Sequence, residues 1–327
     1  MKMQTIKSKP VGVVGLGLMG TSIAVSLLAS GHRVIALAPI PGEKEKAYDQ
    51  FIDLLQHMDK AGMLKSDTKT YLDAVTLVED YRALIECKLV LECVIEDMDI
   101  KKSVYHKISE VVTADTVIAS NTSAIPISQL QLLVPYPERF LGIHWAEPAY
   151  MTRFLEVTCG TFTDPKIADE VVSLALEWEK EPTLLKRDIR GFITNRLMYA
   201  VYREALSLIE MGHTTVGDAD KACRYDMGSW VTLMGIFRRM DFMGVDDFIH
   251  SFRRLFPQLS NRTDVPPLIK TIMENNGRGI HNQMGFYNYS EEEAKDWEEA
   301  FADFNEKMYH LASDYNEHKL GLVRDSK

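Results

Sequence analysis

The 327-residue sequence predicts an α/β chain, with a doubly wound, largely parallel sheet over residues 1–188 and an all-α part over 189–327. Three observations carry this reading. The segment Val11–Leu37 reads as strand, glycine-rich turn, helix and strand. Short apolar runs then alternate with polar, helix-periodic stretches, as a sheet wound on both faces requires. Beyond Gly191 the strand signals fade and long amphipathic periods replace them.

Val11–Val14 is an apolar run that ends in Gly15-Leu16-Gly17-Leu18-Met19-Gly20, and Thr21–Ser30 carries apolar residues at helical spacing up to Gly31, a C-cap residue. Arg33–Leu37 resumes as a strand, so the unit has the length of a parallel crossover. A charged amphipathic helix is expected over Gly42–Leu64. Further strands are expected at Leu89–Val94, Thr116–Ala119, Phe140–Ile143 and Phe154–Val157, with a helix at Ile100–Val112. The boundary is placed at Lys186–Gly191, where a charged stretch with a glycine precedes the helix Phe192–Glu210. Helices are expected at Val216–Tyr225, Ser229–Phe237 and Asp246–Leu255. In the tail Ser290–Glu317, Trp297, Phe301, Phe304, Met308 and Leu311 recur at three- and four-residue steps, the mark of an amphipathic helix packed on the body or on a partner.

Composition narrows the function classes. With 46% hydrophobic and 26% charged residues this is an ordinary globular chain, and no apolar stretch suits a membrane span. A net charge of -10 argues against a nucleic-acid partner, although a local basic pocket could still take an anionic substrate. The basic N-terminus runs into a strand with no signal-type apolar region, so a cytoplasmic protein is expected. Cys87, Cys93, Cys159 and Cys223 lack metal or redox spacing; reduced thiols and no metal site are expected.

The glycine motif stands where a dinucleotide site needs it, between a buried strand and a helix. Gly15 permits the tight turn, Gly17 lets the backbone approach a pyrophosphate and Gly20 lets the helix pack close, with Leu18 and Met19 opening the helix on which the phosphates rest. The fold is therefore of Rossmann type. One part departs from the pattern: the acidic residue that binds the adenine ribose diol falls at Ala38, and no arginine there reads a 2′-phosphate. Glu43 could reach back to the ribose, while Lys44 or Lys46 could meet a phosphate. NAD is the expected cofactor.

Taken in order, the glycine motif, Ser120-Asn121-Thr122-Ser123, Gly142-Ile143-His144-Trp145 with Pro148, Leu155-Glu156-Val157, Gly191-Phe192-Ile193-Thr194-Asn195-Arg196-Leu197, Asp226-Met227-Gly228 and Gly285-Phe286-Tyr287 resemble the L-3-hydroxyacyl-CoA dehydrogenases over nearly the whole chain. His144 suits the reaction this implies, since an imidazole titrating near neutrality can take the hydroxyl proton as hydride leaves carbon. Glu156, in the next strand, suits a carboxylate that fixes the ring tautomer; the resemblance implies the same pair. It also implies that Ser120 and Asn195 hydrogen-bond the reacting oxygen and that Glu96, Lys101 and Ser120 contact the cofactor. Two departures bear on binding: Glu147 stands where the family has asparagine close to the cofactor, and His281 replaces a family lysine. A short 3-hydroxyacyl-CoA is the first expected substrate. Small free 3-hydroxy acids, as in the related L-gulonate and carnitine dehydrogenases, are the second, and a dinucleotide-binding protein without turnover is the third. A homodimer through the helical part is implied by the resemblance.

Overall fold

The computed structural model describes residues 8–315. Eight strands form one sheet: β1 (Val11–Val14), β2 (Val34–Leu37), β3 (Val75–Val78), β4 (Leu89–Glu92), β5 (Val117–Ser120), β6 (Phe140–Trp145), β7 (Phe154–Cys159) and β8 (Glu181–Leu185). Their order is β3-β2-β1-β4-β5-β6-β7-β8, and every neighbouring pair is parallel except β6 with β7. The winding reverses between β1 and β4, and ligands of such sheets bind outside the carboxyl ends at that point.

The central strands are continuous apolar runs because helices cover both faces. Alternate residues feed two cores: Val11, Val13, Leu89 and Leu91 enter one, and Val14, Val90 and Ile118 enter the other. Helix α1 (Leu18–Ala29) and α2 (Glu43–Lys60) follow β1 and β2, α3 (Met98–Val111) follows β4, and α4 (Pro165–Glu177) follows β7. Of α2, Ala47, Phe51, Leu55 and Met58 are buried, one stripe at helical spacing.

Two strands lie outside the sequence expectation, and both are sheet edges. β3 is half-exposed along its length, which blurs an apolar run. β8 contains Pro182, which cannot donate to a ladder and so reads against a strand except at an edge.

Contacts divide the chain into Met1–Ile193 and Thr194–Lys327. Residues 189–193 stay with the sheet because Phe192 is buried in its core and the Ile193 N–H donates to Glu156. The second unit is helical, with α5 (Thr194–Glu210), α6 (Gly228–Met243) and the long α7 (Glu291–Asp314), whose N-terminus is closed by a Ser290–Glu293 capping box. Among the described residues, no helix is long and apolar enough to cross a membrane, and no His, Cys, Asp and Glu group could hold a metal.

Candidate active site

The antiparallel pair β6–β7 sets His144 directly opposite Glu156. Opposed residues of such a ladder point to the same face with their Cβ atoms roughly 4.5–5.5 Å apart, so the sheet itself makes the pair. His144 Nδ1 lies 2.9 Å from Glu156 Oε2. The other oxygen, Oε1, accepts from the Ile193 N–H at 2.9 Å. Glu156 is buried, and with both oxygens engaged it holds the ring in one orientation and leaves Nε2 to face the site.

Opposite Nε2 stands a hydroxyl other than the one the sequence suggested. Ser123 Oγ is 3.1 Å from His144 Nε2. Ser120 is fully buried and donates to Glu92 Oε2 at 2.8 Å, so its hydroxyl is engaged inside the sheet unit and not at His144. The physical reason is register: Ser120 ends β5 and faces inward, while Ser123 lies in the turn beyond, held by Trp145 N–H donating to Asn121 Oδ1 at 2.9 Å and by Ser123 N–H donating to Glu96 Oε1 at 2.6 Å. Both serines lie in one short polar run, and only the position of the strand end distinguishes them.

Lys101 is held in an ion-pair cluster. Its side chain is 1% exposed, and its ammonium donates to Glu92 at 2.8 and 3.0 Å with Glu96 Oε2 at 3.5 Å. Glu92, which the sequence reading passed over, is the hub: fully buried, it also accepts from Tyr105 Oη at 2.5 Å and from Val94 N–H at 2.8 Å. Burial, followed by the Glu92 charge, pushes the Tyr105 phenol well above its ordinary value, so it stays a donor. A buried ion pair is tolerable only when its remaining hydrogen-bonding capacity is met, as here. Glu96 is exposed and also accepts from Thr122 Oγ1, which ties the end of β4 to the Ser123 turn.

The glycines meet the requirements of a dinucleotide cradle. Gly15 has φ +91°, and a Cβ on Gly20 would stand 1.8 Å from the Gly15 carbonyl oxygen. A Cβ on Gly17 would meet nothing within 4 Å, so this is the open side of the turn. Gly17 is the N-cap of α1 and supplies no side-chain cap, and the first turn, with exposed Leu18 and half-buried Met19, holds no acidic residue. Its N–H groups and dipole are available to an anion.

Glu147 is exposed on the loop after β6 and His281 is exposed in the second unit. Asn195 lies half-buried in the first turn of α5. The loop between β6 and β7 is held by Lys180, a residue no motif marks, which donates to Ala149 O at 2.6 Å and Thr152 O at 2.7 Å.

Residues 10–189 match the profile of the 3-hydroxyacyl-CoA dehydrogenase NAD binding domain, and 191–289 match that of the C-terminal domain. The chain is 31% identical over 286 residues (87% of this chain, 92% of the relative) to a 5-formyl-3-hydroxy-2-methylpyridine 4-carboxylate 5-dehydrogenase of Mesorhizobium japonicum. It is 27% identical over 311 residues (94% and 99%) to an L-carnitine dehydrogenase of Oceanobacillus iheyensis. A crystal structure of the pyridine-carboxylate enzyme, described as an NAD+ dependent dismutase, superposes with a TM-score of 0.87 at 29% identity, covering 93% of this chain and 98% of that one. A dyad on facing strands, a glycine cradle at the sheet's switch point and profiles that span both units lead to one conclusion: the chain belongs to the 3-hydroxyacyl-CoA dehydrogenase family, as an NAD-dependent oxidoreductase acting on a CH–OH group.

Proposed function

We propose that this chain interconverts a small hydroxy acid bearing a free carboxylate and its oxo form, with His144 as the acid–base group. The observation that carries the reaction is His144, bound through Nδ1 to buried Glu156 and presenting Nε2 beside Ser123 Oγ. NAD, when bound, supplies the hydride acceptor. Nε2 takes the hydroxyl proton as the carbonyl forms and returns it in the reverse direction, and Glu156 stabilises the imidazolium that results. The Ser123 hydroxyl polarises the same oxygen without adding a charge. Asn195 is proposed as a second such group.

The free-acid reading rests on two supports. The matched relatives named above act on a pyridine carboxylate and on carnitine, small molecules without a thioester, and the carnitine enzyme matches 94% of this chain. Within the sheet unit, the exposed Arg190 donates to the Ala124 carbonyl at 3.3 Å, which sets a guanidinium one residue from Ser123. Arginine suits planar carboxylate recognition. A short 3-hydroxyacyl-CoA is the second reading, favoured by the family profiles that match both units. NAD reduction measured in parallel with carnitine, L-gulonate, 5-hydroxymethyl- and 5-formylpyridine carboxylates and 3-hydroxybutyryl-CoA separates the two. Turnover of a free acid that Arg190→Met weakens through KM supports the first, and turnover of the thioester alone replaces it with the second.

The protein is further proposed to act as a homodimer through its helical unit. Among the described residues after Ile193, Ala294 is the one apolar side chain buried as deeply as the sheet core. A helical body that leaves its apolar stripes in water lacks the burial that stabilises it.

A further inference from the structure

The acid missing from the end of β2 has a substitute on the next helix. Ala38 is 2% exposed, and its N–H is spent on Val78 O at 2.8 Å, so this position faces the core and has no access to a ligand. The chain then turns through Gly42, with φ +80°, and enters α2 with Glu43 as its first residue. Glu43 reaches back 27 residues: its Oε1 accepts the Leu16 N–H at 2.8 Å, inside the glycine turn itself. The other oxygen, Oε2, is enclosed and has no hydrogen-bond partner.

A carboxylate oxygen withdrawn from water without a donor carries a desolvation cost that a hydroxyl group removes. A helix N-terminus favours a negative charge beside it. Beyond the end of β3, the Tyr81 hydroxyl is also enclosed and unpartnered; burial, with the Glu43 and Glu92 charges, pushes this phenol up to about 12. The region where β1, β2 and β3 end thus contains an unmatched anionic acceptor and a neutral hydroxyl. A vicinal diol, with two O–H donors, complements that pair. A phosphate dianion on one of the same hydroxyls would meet the Glu43 charge.

We propose that Glu43, delivered from the first turn of α2 and not from the strand end, accepts the adenine-side ribose diol of NAD and excludes the 2′-phosphate of NADP. The assignment concerns the cofactor alone and does not depend on which substrate is turned over.

Fluorescence titration of the full-length protein with NADH, NADPH and NADH lacking the adenine-ribose 2′-hydroxyl tests it without any turnover. The native protein is expected to bind NADH about tenfold or more tighter than either of the others, the scale of a charge-assisted hydrogen bond. Glu43→Gln keeps an amide oxygen for the Leu16 N–H, so the turn stays held. It is expected to weaken NADH about tenfold, to narrow the gap to NADPH, and to leave the 2′-deoxy cofactor nearly unchanged. Equal binding of NADH and its 2′-deoxy form by the native protein overturns the proposal, and that measurement needs no variant. Equal weakening of both by Glu43→Gln also overturns it, because Glu43 would then only hold the turn.

Discussion

Ser123 Oγ lies 3.1 Å from His144 Nε2, at the ring nitrogen that Glu156 leaves uncovered. This relationship separates two serines in one motif. Ser123→Ala is expected to lower kcat by about 10²-fold, the lower end for loss of one donor to a reacting oxygen, with little change in unfolding. Ser120→Ala should do the reverse. It takes one donor from the buried Glu92 carboxylate, for a stability loss of roughly 1–3 kcal/mol. Paired kinetics and urea unfolding of the two variants decide the matter: a large kcat effect at Ser120 with none at Ser123 would restore the assignment the sequence suggested.

The facing register of His144 and Glu156 makes a second pair of expectations. His144→Ala should reduce kcat by about 10²–10⁴-fold while NADH titration is unchanged, because the ring serves the proton and not the dinucleotide. Glu156→Gln should cost less and should also move the acid limb of the kcat/KM profile to lower pH, since the imidazolium loses its anionic partner. A profile that stays in place would show that the carboxylate only braces Ile193.

Much of this was legible in the sequence. The strand–glycine–helix unit, the helical second part and the His144–Glu156 pair all leave marks at fixed spacing. β3 and β8 did not, since edge strands are half-exposed and one carries a proline. The roles of Ser120 and Ser123 were harder to separate: both stand in one plain motif, and only the end of β5 at Ser120 decides which hydroxyl is buried and which meets His144. Glu92 and Lys180 could not be distinguished from solvated charges at all, because burial of an ion is a tertiary property.

Lys180 supplies a pH-dependent prediction. Desolvation, with the Arg153 charge in the same direction and Glu179 against it, lowers its ammonium to about 7. Between about 7 and the unfolded value of about 10.5, the unfolded chain therefore holds a proton there that the native chain has released. Stability from this group thus rises with pH through that window, and the burial penalty is fully present below it. The neutral amine still offers two N–H donors to Ala149 O and Thr152 O, so the loop stays tied. Denaturation of the native protein and of Lys180→Met from pH 6 to 10 should show the native protein gaining on the variant as pH rises. A constant difference would mean that the lysine keeps its charge throughout.

Ala38→Asp, the substitution that strand-end logic recommends for tightening NAD, is expected to fail. The side chain would enter a position that is 2% exposed, within a core containing Ala36, Ala47 and Phe51. An unpaired carboxylate there carries a cost of several kcal/mol or takes up a proton. A drop in thermal midpoint with no gain in NADH affinity is the expected outcome. Tighter NADH binding at unchanged stability would show that residue 38 can turn outward to the ribose.

The last expectation concerns the helical unit. Along α6, Phe237 is 82% exposed and Phe242 is 74% exposed, and along α5 Leu197, Tyr199 and Tyr202 are also in water. Large aromatic side chains lose about 1.5–3 kcal/mol each when left uncovered, which is the gain the proposed homodimer would draw on. A second copy of the same chain is the partner always present at matching concentration, and a two-fold contact needs only one self-complementary patch. Sedimentation at micromolar protein should give a dimer. Phe237→Asp combined with Phe242→Asp should shift it toward monomer and lower the thermal midpoint, because stability is linked to association by mass action. If the native chain sediments as a monomer across that range and the double variant melts no earlier, the exposed phenylalanines of α6 do not mediate self-association.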